Sequence, residues 1–174
     1  ASFFPKVTAV VPVKKHSSRL RNKNILPFAD STLLEHKIKQ LKTVSGIDEV
    51  VVSSDSEEML DKARALGATA IRRPDDLANE TRPLGDFFEY IIDAIDDGIL
   101  LWACCTSPLF DEHCIEDALT IYKNKINLSA EFDSLITTYQ FKHYLMDESG
   151  PMNYRLGLQH TNSLSDAYKH RIAP

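Results

Sequence analysis

The chain contains only six glycines in 174 residues. Walker A loops and dinucleotide-binding turns need closely spaced glycines, so that backbone N–H groups can approach a phosphate. The polar segment that follows the first apolar run, from Lys14 to Asn24, contains no glycine at all. These two Gly-rich phosphate-binding motifs are therefore excluded for this segment.

Cysteine and positive charge are also in short supply. The three cysteines, Cys104, Cys105 and Cys114, are odd in number and lack metal-type spacing, which favours reduced thiols in a cytosolic protein. Lysine and arginine total 20 against 25 aspartates and glutamates, a net charge of -5. This balance argues against a broad nucleic-acid surface, although a local cationic site for a small anion is compatible with it.

Long apolar runs are missing as well. No segment approaches the roughly 18 residues of a membrane span, and the first residues do not form a signal-peptide pattern. We therefore expect a cytoplasmic protein that does not bind membranes. The apolar fraction of 43% and the charged fraction of 26% are those of a globular protein, and the length favours one domain.

Apolar segments alternate with helical patterns along the first 140 residues. Five segments predict strands: Val7–Val13, Glu49–Ser53, Ala68–Arg72, Ile99–Cys104 and Ser134–Tyr139. Between them, apolar residues recur at helical spacing; Thr32 and Glu35 form a capping box before one helix, and Asp111 begins another. Repeated strand–helix units predict an α/β three-layer sandwich with a mostly parallel, twisted sheet.

The first predicted strand leads into a loop of cations, hydroxyls and amides, Lys14–Asn24. Ligands of such folds bind beyond the carboxyl ends of the strands. Lysine and arginine neutralise phosphate charge, and hydroxyl and N–H groups supply directional donors. The pattern favours a polyphosphate site; a solvated basic loop is the alternative.

This loop resembles the signature of the acylneuraminate cytidylyltransferase family, a Rossmann-like nucleotidyltransferase fold. The family has Arg, a spacer and then Ser-x-(Gly/Arg)-Leu-Pro-x-Lys-Asn after its first strand. The residues that match in register are Ser17, Arg19, Leu20, Lys23 and Asn24. Lys14 stands in place of the usual Arg, which keeps the charge but loses the bidentate fork, and Arg21 stands in place of Pro.

A second resemblance lies in Gly67-Ala68 followed by Arg73-Pro74-Asp75-Asp76-Leu77-Ala78-Asn79-Glu80-Thr81. It is similar to the family block Gly-Ala…Arg-Pro-x-x-Leu-Ala-x-Asp-x-Thr, whose arginine lies near the nucleotide. The resemblance therefore implies that Arg73 binds the nucleotide; a surface ion pair with Asp75 or Asp76 is the alternative. The small hydroxyl residues that follow the family block are absent here, so the base need not be cytosine.

Two further segments also follow the family order. Val50–Asp55 resembles the second strand and its Val-Ser-Thr-Asp ending, and we interpret Asp55 first as a helix cap. Leu101–Leu109 resembles the strand that ends Leu-Gln-Pro-Thr-Ser-Pro-Leu, with Thr106 and Ser107 kept. Cys104 takes the place of a Gln that contacts the substrate. A small buried side chain is favoured over a catalytic thiol for Cys104.

The last residues depart from the family. Its later chain forms a dimerisation element, then an Asn-Gly-(Ala/Gly)-Ile-Tyr strand and an Asp-x-Asp pair that holds magnesium; neither motif occurs in this sequence. We predict a nucleotidyltransferase core over 1–140 and a dimerisation region with a return to the core over 141–174. The resemblance offers Lys142 as a partner for the sugar carboxylate, with a surface lysine as the alternative.

The resemblance implies transfer of CMP from CTP to a 2-keto-3-deoxy sugar acid, with release of pyrophosphate and with Mg²⁺ as cofactor. Lys14, Arg19 and Lys23 would neutralise phosphate charge, while Ser17 and Asn24 would orient oxygens. We expect this loop, Arg73 and Thr106-Ser107 to line one cleft. The protein is expected to be a homodimer. A non-catalytic homologue and a transferase for another nucleotide or sugar remain alternatives.

Overall fold

The described part of the chain falls into two units. The computed structural model describes residues 4–15, 22–79, 81–129, 132–139 and 145–152. The first unit is Ala1–Leu135 and the second is Ile136–Pro174. The dimerisation role given to 141–174 stays a prediction, and most of that region, with Lys142, lies outside the described residues.

The first unit is built around a four-stranded parallel sheet. Its elements, in chain order, are β1 (Val7–Pro12), a 3₁₀ turn (Lys23–Ile25), β2 (Pro27–Phe28), β3 (Ser31–Thr32), α1 (Leu33–Thr43), β4 (Glu49–Ser54), α2 (Glu57–Ala65), β5 (Thr69–Arg72), α3 (Leu84–Ala94), β6 (Ile99–Trp102), α4 (Glu112–Tyr122) and a π-helical turn (Lys123–Asn127). The spatial order of the sheet is β5-β4-β1-β6, and β2 pairs with β3 in a small antiparallel hairpin. Four of the five predicted strands are confirmed, with small shifts at their ends.

Local side chains determine where two helices begin. The Thr32 hydroxyl accepts the Glu35 N–H (3.2 Å) and donates to the Glu35 carboxylate (2.7 Å). Thr32 therefore caps the helix as predicted, but the Glu35 carboxylate binds the Thr32 hydroxyl, whereas a capping box uses the backbone N–H of the cap residue. The Asp111 carboxylate accepts the Cys114 N–H (3.0 Å) at the start of α4, again as predicted. The longest helices among the described residues have 11 residues. None of the described helices has the length and apolar character that a membrane crossing requires.

Helices cover both faces of the sheet. Alternate residues of a strand point to opposite faces. Val11 and Val52 face the layer of α1, α2 and α4, where Leu34 is buried, whereas Val10 and Val51 face α3. The predicted three-layer α/β sandwich is confirmed.

The fifth predicted strand is wrong. Residues 132–139 contain no strand, and every one of them is exposed. The β-branched and aromatic residues of Ser134–Tyr139 favour an extended backbone, but a strand forms only when its N–H and C=O groups pair with a neighbour. Local composition favours a strand here, but it does not supply the neighbouring strand that pairing requires.

The second unit contains a short hairpin within its described residues. It consists of β7 (Met146–Asp147) and β8 (Gly150–Pro151). The Asp147 carboxylate accepts the N–H groups of Ser149 (2.8 Å) and Gly150 (3.1 Å). Gly150 has a φ of 125°, a conformation that side chains rarely allow.

Candidate active site

The carboxyl ends of the four parallel strands meet at one edge of the sheet. Val13 N–H, just after β1, donates to the Ser53 carbonyl of β4 (3.0 Å), and Ala103 N–H, just after β6, donates to the Val10 carbonyl of β1 (2.9 Å). The segments that leave β1, β4, β5 and β6 therefore start side by side, which is where parallel α/β sheets bind ligands.

Asp55 anchors the start of the loop after β1. Its carboxylate accepts the Lys15 N–H at 2.8 Å. The interpretation of Asp55 as a helix cap is wrong, because Ser56 occupies the N-cap position of α2 and no side chain caps that helix. A carboxylate directly after a strand was the available signal for this role. Lys14 is partly buried; Ser17 and Arg19 lie outside the described residues.

Lys23 and Asn24 form the 3₁₀ turn that ends this loop. Asn22, before the turn, has a left-handed backbone with φ 53°. Asn24 is buried, and Ile25 packs against the core on the side of α1. Burial raises the pKa of the Cys104 thiol, and Trp102, Lys37 and Lys23 each oppose part of that shift.

Arg73 is a buried cation at the end of β5. Its side chain is only 6% exposed, and its guanidinium lies over the Phe87 ring at 3.6 Å from the centroid. One Nη donates to the Ser53 carbonyl (3.4 Å), while Nε has no hydrogen-bond partner among the described residues. Burial lowers the pKa of Arg73 to about 10, opposed by the charge of Asp55. The side chain is therefore cationic at neutral pH.

The surface ion pair with Asp75 that was the alternative for Arg73 is formed by Arg72. Arg72 contacts the Asp75 carboxylate at 3.1 Å and is half exposed. Strand alternation turns Arg73 the other way, toward α3. Sequence reasoning did not identify Phe87 and Ser53 as neighbours of Arg73. The available signal was that Ser53 lies on the same strand face as Val51, the face that α3 covers. The Ser53 hydroxyl is fully buried and, like Arg73 Nε, lacks a partner in the described chain.

Lys23 and Arg73 reach the sheet edge from opposite layers. The turn of Lys23 packs on the side of α1, and Arg73 stacks on α3. We expected the loop after β1, Arg73 and Thr106-Ser107 to line one cleft, and the positions of Lys23 and Arg73 on opposite faces of the sheet contradict that expectation. Because the sheet lies between their layers, a ligand that contacts both has to extend across the strand ends.

The segment after β6 presents exposed polar groups. Cys104, Thr106 and Ser107 are all exposed, so the interpretation of Cys104 as a small buried side chain is wrong. The buried thiol is Cys105, and burial raises its pKa to about 12. The pKa of Cys104 is raised as well, which keeps that thiol protonated at neutral pH and argues against a catalytic thiolate.

Carboxylates are scarce at this edge. Within the described ranges, no group of three His, Cys, Asp or Glu side chains is placed to hold a metal ion. The Asp55 carboxylate, whose charge acts on Arg73, already accepts the Lys15 N–H. What the described edge offers is positive charge and hydrogen-bond donors, an arrangement suited to an elongated anion.

Comparison with known proteins identifies relatives along most of the first unit. The family described as Cytidylyltransferase matches residues 8–149. N-acylneuraminate cytidylyltransferase of Escherichia coli is 31% identical over 121 residues, which make up 68% of this chain and 28% of that protein. Pseudaminic acid cytidylyltransferase of Campylobacter jejuni is 27% identical over 144 residues, or 78% of this chain and 60% of that protein.

The fold also matches solved structures. A structure of CMP:2-keto-3-deoxy-manno-octonic acid synthetase complexed with CTP superposes with a TM-score of 0.60 at 22% identity, over 68% of this chain and 48% of that chain. At this identity the match concerns the fold alone. The chain spans about a quarter to three fifths of the length of the two curated relatives above.

Proposed function

The chain belongs to the cytidylyltransferase family, and from this premise we propose that the protein transfers CMP from CTP to a 2-keto-3-deoxy sugar acid and releases pyrophosphate. The acceptor class includes sialic acid and related nonulosonic acids. The relatives named above act on N-acylneuraminate and pseudaminic acid by their names, which supports an acidic sugar without selecting one.

Arg73 is the observation that carries this proposal. Among the described residues the Arg73 guanidinium contacts an aromatic ring and one carbonyl but no carboxylate, and the charge of Asp55 offsets only part of the free-energy cost of its burial. Its Nε and the Ser53 hydroxyl are both donors without partners in the described chain. An anion or carbonyl group of a nucleotide would satisfy both. The position of Arg73 at the carboxyl edge of the sheet supports the same assignment.

Phosphate binding is proposed for the loop after β1. Lys14, Arg19 and Lys23 neutralise the triphosphate and the leaving pyrophosphate, while Ser17 and Asn24 orient oxygens. The anomeric hydroxyl of the sugar acid attacks the α-phosphorus, and the bond to the bridging oxygen of pyrophosphate breaks. Such a reaction depends on positioning and on charge stabilisation more than on covalent catalysis.

Sugar binding is proposed for the segment after β6 and for Lys142. Thr106 and Ser107 supply exposed hydroxyls. Cys104 is a weaker hydrogen-bond partner than the Gln of the family, so we expect its contact to the sugar to differ. Lys142 would meet the carboxylate.

Magnesium belongs to the proposal through the family resemblance alone. It supplies charge neutralisation between phosphates when bound. The residues that the structure describes do not fit such a site, since they include no group of three or more His, Cys, Asp or Glu side chains that could hold a metal ion, and the Asp55 carboxylate already accepts the Lys15 N–H. No step of the reaction is therefore assigned to the metal here.

A pyrophosphate-release assay tests the proposal. The protein is incubated with CTP, Mg²⁺ and a panel of N-acetylneuraminic, legionaminic, pseudaminic and deoxyoctulosonic acids, with ATP, GTP and UTP as controls. We expect release with CTP and at least one of the acids. Release with another nucleotide in place of CTP would support the alternative transferase, because the small hydroxyl residues of the family's base site are absent.

A non-catalytic homologue is the second candidate. The exposed Cys104 thiol in place of Gln and Lys14 in place of Arg favour it. Binding of CTP, measured by calorimetry, without pyrophosphate release for any acid in the panel would support this candidate over the enzyme.

We also propose a homodimer formed by the region from about Phe141 to Leu158. Its described part carries exposed methionines, Met146 at 61% and Met152 at 49%, and apolar side chains of this size favour a partner surface. Light scattering at micromolar concentration tests the proposal: we expect twice the mass of the chain, and a monomer mass would contradict it.

A further inference from the structure

Lys37 is a buried lysine on the core-facing side of α1. Its side chain is 2% exposed. The apolar residues one turn away on either side, Leu34 and Leu41, are also buried. Lysine is among the residues least often buried fully. A methionine or leucine at this position would continue the apolar stripe of the helix, so packing alone does not account for the charge.

The Lys37 ammonium is hydrogen-bonded to the segment that follows β6. Nζ donates to the carbonyl oxygens of Ser107 (3.0 Å) and Phe110 (3.2 Å), and also to the Gln40 side-chain carbonyl. Three donors therefore meet three acceptors, which is the full capacity of an ammonium group.

Gln40 and His36 extend the same contact. The Gln40 amide donates to the Pro108 carbonyl (3.3 Å), and His36 Nε2 lies 3.2 Å from that same oxygen. Side chains from two turns of α1 thus hold the carbonyl groups of residues 107, 108 and 110. We call this set the α1 clamp: His36, Lys37 and Gln40 with those three carbonyls.

The charge makes the α1 clamp selective for one loop conformation. All three acceptors of Lys37 are neutral, and burial lowers its pKa. A buried cation is tolerated when every donor is satisfied, and it becomes costly as soon as an acceptor moves away. A displaced Ser107 or Phe110 carbonyl would leave the charge under-bonded, so alternative conformations of the segment are disfavoured.

We propose that Lys37, supported by Gln40, is a positioning residue that fixes the segment after β6, so that Thr106 and Ser107 present their hydroxyls to the sugar acid. This inference rests on the proposed function. Lys37 itself does not touch the substrate, because its donors are used by Ser107, Phe110 and Gln40. Loss of the α1 clamp should weaken binding of the sugar acid more than binding of CTP.

The test compares Lys37→Met with Lys39→Met. Methionine matches the length of lysine without its charge, and Lys39 lies on the exposed side of the same helix. For the sugar acid that the wild type uses best, we expect Lys37→Met to raise its KM about tenfold or more and to change the KM for CTP less than threefold. Lys39→Met should match the wild type in both values.

A selective effect on the acceptor separates positioning from plain destabilisation. If folded Lys37→Met keeps the wild-type KM for the sugar acid, or loses kcat with both KM values unchanged, the positioning role is overturned. If Lys37→Met does not fold, Gln40→Met decides in its place: a selective rise in the same KM supports the proposal, and an unchanged KM overturns it.

Hydrogen exchange makes the test independent of catalysis. Amides of the segment 104–111 should exchange faster in Lys37→Met, or in Gln40→Met, than in Lys39→Met, while β1 keeps its protection. If the wild type is inactive with every sugar acid, the proposed function fails. Faster exchange confined to the segment then still supports the α1 clamp, and unchanged exchange overturns it.

Discussion

The cations at the two ends of the parallel sheet, Lys6 and Arg73, differ in the groups that contact them. At the amino end, Lys6 contacts the carboxylates of Glu49 and Asp96, each at 2.7 Å, and the Glu49 carboxylate also accepts the Thr69 hydroxyl (2.7 Å). At the carboxyl end, Arg73 has an aromatic ring and one carbonyl as neighbours and keeps an unused donor.

The comparison separates structural charges from charges available to a ligand. A cation that forms ion pairs with its own chain, such as Lys6, has few donors left for a ligand. A buried cation that forms no ion pair among the described residues, such as Arg73, gains stabilisation from binding an anion. The backbone at the amino end is also closely packed. At the amino end, Gly98 has a φ of 155° and a Cβ there would lie 2.2 Å from the Lys6 carbonyl, so this end is packed for stability.

The largest effect is expected from Lys23→Ala at the carboxyl end. Turnover with CTP and the sugar acid should fall about 10²-fold or more, because charge stabilisation in the transition state is lost. The side chain is partly exposed, so thermal unfolding should change little. Lys39→Ala, on the exposed side of α1, is the control. Activity near the wild-type level in Lys23→Ala would contradict the role of Lys23.

Arg73→Met should weaken CTP binding about tenfold, or roughly 1.4 kcal/mol, without a large loss of stability. Removal of a buried cation without a carboxylate contact relieves a desolvation cost that offsets the lost packing. Arg72→Met is the matched control, since Arg72 is exposed and paired with Asp75. Calorimetric titration with CTP measures both variants. Equal affinities in the two variants would remove the distinction between the ends of the sheet.

Phe87→Leu should have a smaller effect on binding. The ring faces the Arg73 guanidinium and positions it without supplying its charge. Only part of the Arg73→Met effect should therefore be lost, and we expect a roughly threefold rise in the dissociation constant for CTP. Phe88→Leu is the control, because Phe88 packs against Trp102 (ring centroids 4.5 Å apart). The same titration decides, and a larger loss in Phe88→Leu than in Phe87→Leu would count against the contact with Arg73.

Lys6→Met should leave CTP binding unchanged and lower stability slightly at neutral pH, because exposed ion pairs contribute little. Hydrogen bonds from Lys6 lower the pKa values of Glu49 and Asp96 in the folded state. Their stabilising contribution is complete above the ordinary carboxyl pKa near 4 and is lost as the pH falls through the lower folded values. The free energies of unfolding of wild type and variant, measured with urea, should therefore begin to converge below about pH 4 and become equal only below the folded pKa values. A difference that is undiminished at pH 2, or weaker CTP binding, would contradict this assignment.

The sequence by itself determined the elements that depend on local pattern. The alternation of apolar strands with helical stripes specifies the three layers, and the capping residues Thr32 and Asp111 specify two helix starts, because both signals act within a few residues. The motif order from Lys14 to Ser107 was likewise enough to indicate the family. The roles assigned to Lys14, Ser17, Lys23 and Asn24 stay predictions.

Only the tertiary structure determined which of several chemically similar side chains is buried and what each one contacts. It buried Arg73 and exposed Arg72, buried Cys105 and exposed Cys104, and gave Asp55 a loop N–H in place of a helix end. It also placed Ser134–Tyr139 outside the strands of the described residues. These outcomes depend on which helix covers which face of the sheet and on which strand edge is available. Both are contacts between residues far apart in the chain, and no local pattern encodes them.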